Sequence, residues 1–245
     1  MKFFKRIKTI ANLEIKDDLG SVFAYIARPA SESKLGLKRP VVFLVHQFFG
    51  LRRRDTELAD ELARLGYIAV CPDCYQANTT PLIPRAISLV KNAAFNNDWE
   101  LPLRDLKRVL DFIVNNEEQA DITRMALSGF CFGGGVALRF ADIYPAYRFK
   151  AVGVFYGKPI KSITSLAAPV YGVFGDRDRQ FGPAMVAEFE SLLSSRAIPV
   201  EIRRYQDQAH AFIEDLACIR RGGDALDAWD GWLRFLSVRF ADSDV

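Results

Sequence analysis

The segment Ser128-Gly129-Phe130-Cys131-Phe132-Gly133-Gly134 places a cysteine between glycines at the point where an apolar strand passes abruptly into a helix. This is the setting of a nucleophile elbow, Gly-x-nucleophile-x-Gly. The nucleophile in such a turn takes a strained backbone conformation. Strand and helix cross so closely that side chains two before and two after it would collide, and Gly129 and Gly133 remove those collisions. A sulfur at the tip lies near the positive end of the following helix, which favours thiolate. A buried cysteine in a glycine-rich packing site would share the pattern, so the catalytic reading depends on partners elsewhere in the chain.

Those partners are few, because the chain has two histidines, His46 and His210, and four cysteines, Cys71, Cys74, Cys131 and Cys218. In the elbow architecture the chain order is nucleophile, acid, histidine, and only His210 lies downstream of Cys131. It sits in Asp207-Gln208-Ala209-His210-Ala211-Phe212, a short loop after a strand expected over 200–205. The acid is expected after the preceding strand, where Gly175-Asp176-Arg177-Asp178-Arg179 stands. Asp178 is the choice, third after the strand-ending glycine, to fix the tautomer of His210 and stabilise its imidazolium. Asp176 is expected in a turn or a surface ion pair. Main-chain amides supply the expected oxyanion donors: Phe132, directly after the nucleophile, and Phe48, in the loop after a strand over 41–45.

The elements that must position these residues follow from periodicity. Residues 9–15 and 21–27 read as strands around the turn Asp17-Asp18-Leu19-Gly20, and 28–39 as a polar connection. Continuous apolar runs at 41–45, 67–70, 124–128, 150–156 and 169–174 suit strands buried on both faces. Helices are expected after a cap at Asp55 or Thr56 (Leu58, Ala59, Leu62 and Leu65 on one face, with Gly66 as the stop), over 85–94, 105–115 and 134–141, from Pro183, and over 224–240. The alternation argues for an open, mostly parallel sheet covered by helices. No repeat or linker interrupts it, and the expectation is one domain over 1–245.

Composition narrows the function. Half of the 245 residues are hydrophobic, and 33 basic against 30 acidic side chains leave +3, too little for a nucleic-acid-binding strategy. The four cysteines point to reduced thiols and a cytoplasmic setting. The basic start, residues 1–8, is broken by charges before a signal-length apolar stretch can form. The longest uncharged runs, 125–138 and 162–175, contain glycine or proline and fall short of the ~18 residues of a membrane span. A monomer with no membrane or nucleic-acid partner is expected.

On these residues the chain resembles the dienelactone hydrolase (carboxymethylenebutenolidase) family of α/β-hydrolases. The resemblance runs from about residue 41 to the C-terminal helix. It rests on Phe49-Gly50, Gly66-Tyr67, Pro72-Asp73, Gly129-Phe130-Cys131-Phe132-Gly133-Gly134, Asp178 and His210. It implies an α/β-hydrolase fold with helices on both faces of the sheet. It also implies hydrolysis of a small ester or lactone through Cys131, His210 and Asp178 and an acyl-cysteine intermediate, without metal or cofactor. The chain departs from the family pattern at two places. The acidic residue that usually holds and activates the resting thiol is Gln47 here, which cannot accept a proton. The arginine that dienelactone-cleaving members carry four residues after the histidine is Glu214, which argues against a dienelactone substrate. His210 alone is then expected to deprotonate Cys131, and Gln47 and Tyr156 are expected to contact substrate or thiol.

Several signals have plainer alternatives. Cys71-Pro72-Asp73-Cys74 has redox-motif spacing but ends a strand instead of opening a helix, and a zinc site would need a second ligand pair. Gly133-Gly134-Gly135 lacks phosphate-loop spacing, and close helix packing accounts for it. His46 reads as a strand-end histidine satisfied by the backbone, and Arg52-Arg53-Arg54 as a solvated basic turn. Phe155, Tyr156 and Trp99 are open to pocket-lining and core readings. Two rival functions remain: a catalytically silent binding protein, supported by Gln47 and Glu214, and a thiol-redox protein.

Overall fold

The computed structural model describes residues 10–30, 37–96 and 98–241. The basic start, the first residue of the expected opening strand and residues 31–36 of the polar connection lie outside them. The chain divides into two compact units, Met1–Ile122 and Thr123–Val245.

The first unit contains β1 (Leu13–Asp17), β2 (Gly20–Ala27), β3 (Arg39–Val45), α1 (Arg53–Arg64), β4 (Ile68–Pro72), α2 (Ile83–Val90), a π-helical turn (Lys91–Asn96) and α3 (Glu100–Asn116). β1 and β2 form the expected hairpin, with Asp17 paired to Gly20. β2 runs antiparallel to β4, and β4 parallel to β3. Val41 to Val45 and Ile68 to Val70 are fully buried, as unbroken β-branched and apolar runs require. Leu58, Ala59 and Leu62 of α1 and Leu106, Val109, Leu110 and Ile113 of α3 are equally buried. Two details differ from the sequence reading. Leu65 follows the helix as its C-cap and is exposed. Arg52 occupies the N-cap position, and Asp55 is the third helical residue, its carboxylate accepting from the Arg52 amide at 2.9 Å.

The second unit contains β5 (Ala120–Phe130) from Thr123 onward, α4 (Phe132–Ile143), a 3₁₀ turn (Pro145–Tyr147), β6 (Ala151–Phe155), β7 (Val170–Gly175), α5 (Pro183–Ser195), β8 (Val200–Tyr205), α6 (Leu216–Arg220) and α7 (Asp224–Ala241). β5, β6, β7 and β8 are neighbours in that order, all parallel. Parallel pairing thus predominates in the protein. The core is aromatic. Phe130 stacks on Phe155 at 4.4 Å between centroids, and Phe155 meets the edge of Trp232 at 6.3 Å. Each such buried ring contributes about 2–3 kcal/mol through area alone. Because the strands are parallel, their C-terminal ends share one edge, where open α/β sheets bind ligands.

Candidate active site

Three of these strand ends converge on Cys131, Asp178 and His210. β5 stops at Phe130 and α4 starts at Phe132, so Cys131 alone makes the turn, with φ 53° and ψ −113°. An L-residue adopts such a conformation only when its surroundings impose it. The Cys131 amide donates to Phe155 O at 2.9 Å, and its carbonyl accepts from Gly134 at 3.1 Å. A Cβ at Gly129 would stand 2.2 Å from the Gly133 carbonyl carbon, the collision that an elbow excludes.

Asp178 follows β7. Its side chain is fully buried, and Oδ1 accepts from the amides of Gln180 at 2.7 Å and Phe181 at 3.2 Å. Oδ2 accepts from His210 Nδ1 at 2.7 Å. Gly175 makes this approach possible, because a Cβ there would lie 2.3 Å from Gln208 O. The Arg177 amide also donates to that carbonyl, at 2.9 Å. The loops after β7 and β8 are thereby held together, and His210 is brought to its acid.

The imidazole bridges the set, with Nε2 3.0 Å from Cys131 Sγ. With Nδ1–H directed to the carboxylate, Nε2 is the nitrogen that exchanges a proton with the thiol. Burial works against a charged ring, but the bonds to Asp178 and Cys131 outweigh it and raise His210 to about 9. For Asp178, burial would raise the carboxyl, yet the His210 bond and the two amides hold it below the usual range. Phe181 and Tyr156 stand edge-to-face with the imidazole at 5.6 and 5.4 Å.

The other sequence candidates sort as follows. Tyr156, expected to contact substrate or thiol, is fully buried; its hydroxyl donates to Ile213 O at 2.8 Å. In the first unit Gln47 is buried and Phe48 half-buried, with the Gly50 amide donating to Gln47 O at 3.1 Å. Glu214 is exposed. Asp176 accepts from Arg204 at 2.8 Å, the expected surface pair. His46 is fully buried and satisfied by backbone groups: Nδ1 bonds Gln47 O at 2.7 Å, and Nε2 accepts from the Cys74 amide at 3.1 Å. Cys71 and Cys74 are buried free thiols, pushed well above their ordinary pKa by burial. Phe155 and Trp99 belong to the core. The basic turn needs correction. Arg53 is exposed and pairs with Glu57, but Arg52 lies over the Phe49 ring at 5.1 Å and Arg54 is mostly buried beside Asp55. The first guanidinium is stacked and the third turned inward, so the run is not uniformly solvated.

Sequence reasoning missed Phe181, whose amide and ring serve Asp178 and His210, and the Phe155 carbonyl that holds the Cys131 amide. Gln180 lies two residues after Asp178, the spacing of an Asx turn, with Phe181 next to it, and that signal could have found the pair. Among the described residues no group of three or more His, Cys, Asp or Glu could hold a metal ion, and no helix is long and apolar enough to cross a membrane.

Comparisons with known proteins give the family and the fold. The family model described as Dienelactone hydrolase family matches residues 22–239. A protein of Salmonella typhimurium, provisionally named carboxymethylenebutenolidase, is 32% identical over 231 residues, covering 87% of this chain and 80% of its own. The crystal structure of a provisionally assigned dienelactone hydrolase from Klebsiella pneumoniae superposes with a TM-score of 0.74 at 26% identity, covering 91% of this chain and 96% of that one. An α/β hydrolase enzyme from a Medee basin deep-sea metagenome shares the fold, with a TM-score of 0.69 at 17% identity over 95% of this chain and 99% of that one.

Proposed function

The chain belongs to the dienelactone hydrolase family and is a hydrolase acting on esters or lactones, and from that premise we propose that it works through Cys131, His210 and Asp178 by way of an acyl-cysteine intermediate. One observation carries the reading: the continuous relay of Asp178 Oδ2, His210 Nδ1, His210 Nε2 and Cys131 Sγ at 2.7 and 3.0 Å. Cys131 attacks the carbonyl carbon of the ester as thiolate, its proton having passed to His210 Nε2. The tetrahedral oxyanion is stabilised by the amide of Phe132, at the start of α4. His210 returns the proton to the departing alkoxide, the acyl group stays on Cys131, and water activated by the same imidazole releases the acid. Asp178 holds the tautomer and stabilises the imidazolium. No metal or cofactor enters this scheme. The substrate is a small ester or lactone, and Glu214 in place of an arginine disfavours the dienelactone itself.

The test is turnover of p-nitrophenyl acetate by the wild type, Cys131→Ala and His210→Ala. The wild type is expected to turn over and both variants to lose activity. Undiminished activity in either variant would remove the proposal.

A further inference from the structure

Residues 155 and 156 touch all three parts of the proposed relay. Phe155 O accepts the Cys131 amide at 2.9 Å and so holds the elbow. The Tyr156 amide donates to Val173 O at 2.6 Å, which ties it to the strand whose end carries Asp178. The Tyr156 hydroxyl reaches past the imidazole to Ile213 O at 2.8 Å, and its ring stands edge-to-face with His210 and 5.8 Å from Phe212. The residue is fully buried at φ 41°, a conformation disfavoured for a bulky L-residue. Before the imidazole the His210 loop is held by Gln208, whose carbonyl accepts from the Arg177 amide and whose side chain donates to Asp224; after it, Ala211 has φ 60° and Phe212 is half-buried. A strained, buried position that bonds to the acid strand and the base loop, directly after the carbonyl that holds the nucleophile turn, suits pre-organisation of the three.

We propose that Tyr156 is a positioning residue for the hydrolytic reaction, its hydroxyl bond to Ile213 O and its ring setting the distance and plane of His210 against Cys131. It acts through His210 and does not touch the reacting atoms. The reaction part of this inference rests on the proposed Cys131–His210 mechanism; the geometric part does not.

Two readouts separate them. Tyr156→Phe keeps the ring and removes only the hydroxyl bond. On p-nitrophenyl acetate it is expected to lower kcat about 10-fold with KM within about 2-fold. The second readout follows the His210 ring by proton–nitrogen NMR across pH, with His46, buried and neutral, as an internal reference. Its titration is expected to move down from about 9 in the wild type toward the free value of about 6.5, because the groups facing the ring, Asp178 and Cys131, are then held less closely. Tyr156→Leu should move both readouts further, and where a variant unfolds, the folded one decides. A folded Tyr156→Phe with unchanged kcat and an unchanged His210 titration overturns the inference. Wild-type hydrolysis that does not need Cys131 removes the mechanism, and the titration alone then decides whether Tyr156 positions the imidazole.

Discussion

His46, Cys74 and Asp73 at the ends of β3 and β4, and His210, Cys131 and Asp178 at the ends of β8, β5 and β7, are the same three residue types in different surroundings. In the first group burial dominates. His46 is pushed down to about 4, Asp73 is raised to about 6, and the Cys74 thiol rises well above its ordinary value. The imidazole and the thiol are held uncharged and the carboxyl is shifted toward its uncharged form, and His46 Nε2 receives a backbone amide where the second site has a thiol. In the second group the imidazole bonds to a carboxylate on one side and a thiol on the other, and it is driven toward the charged form. Which group the second nitrogen faces, and how far the site opens to water, therefore decides whether the same residues brace a loop or carry chemistry.

Breaking one site should consequently cost activity and breaking the other should cost stability. The largest effect is expected from Cys131→Ala, which should lower esterase kcat/KM by about 10³-fold or more. Cys74→Ala should stay within about 2-fold in the same assay. Next, His210→Ala should cost roughly 10²–10⁴-fold in rate, with little change in Tm only above pH ~9, where the imidazole is uncharged. His46→Ala should remove the acceptor of the Cys74 amide and one of the two donors to the Gln47 carbonyl in the interior. It is expected to cost about 3 kcal/mol, a fall in Tm of roughly 6–12 °C by calorimetry.

The third difference is in pH dependence. The folded His210 value, about 9, lies above that of an unfolded histidine, about 6.5. Its contribution to stability is complete below pH ~6.5 and is lost as pH rises through about 9. The His46 contribution has the opposite sign, being complete above pH ~6.5 and lost as pH falls through about 4. Denaturant unfolding of the wild type and His210→Ala at several pH values should show their stability gap closing between pH ~6.5 and ~9. A gap that widens there would mean that the imidazole is not held as a cation. The smallest effect is in labelling. Iodoacetamide should modify Cys131 first in the native protein, and His210→Ala should slow that labelling. Buried Cys71 and Cys74 should react only on unfolding.

Much of this contrast was legible in the sequence. Gly129 and Gly133 announce the elbow because only glycine permits the crossing that Cys131 requires. Chain order singled out His210 and Asp178, since parallel strands deliver their C-terminal loops to one edge in sequence. Continuous apolar runs marked β3, β4, β6 and β7 for the same topological reason. Contacts made in three dimensions were not legible. The stacking of Arg52 on Phe49, the inward turn of Arg54 and the hydroxyl bond from Tyr156 to Ile213 depend on where loops meet, and local spacing does not encode that. The short helix α6, capped by Asp215 through the Cys218 amide at 2.7 Å, was missed because five residues carry no periodicity.

The central claim is that Cys131 becomes acylated. Rapid acid quench of the wild type during p-nitrophenyl acetate turnover, followed by peptide mass spectrometry, tests it directly. The account predicts one acetyl group on the peptide containing Cys131, formed before steady state and absent from His210→Ala quenched at the same time. Steady turnover with no acetyl group on that peptide, or with acetyl accumulating on a different residue, would contradict it.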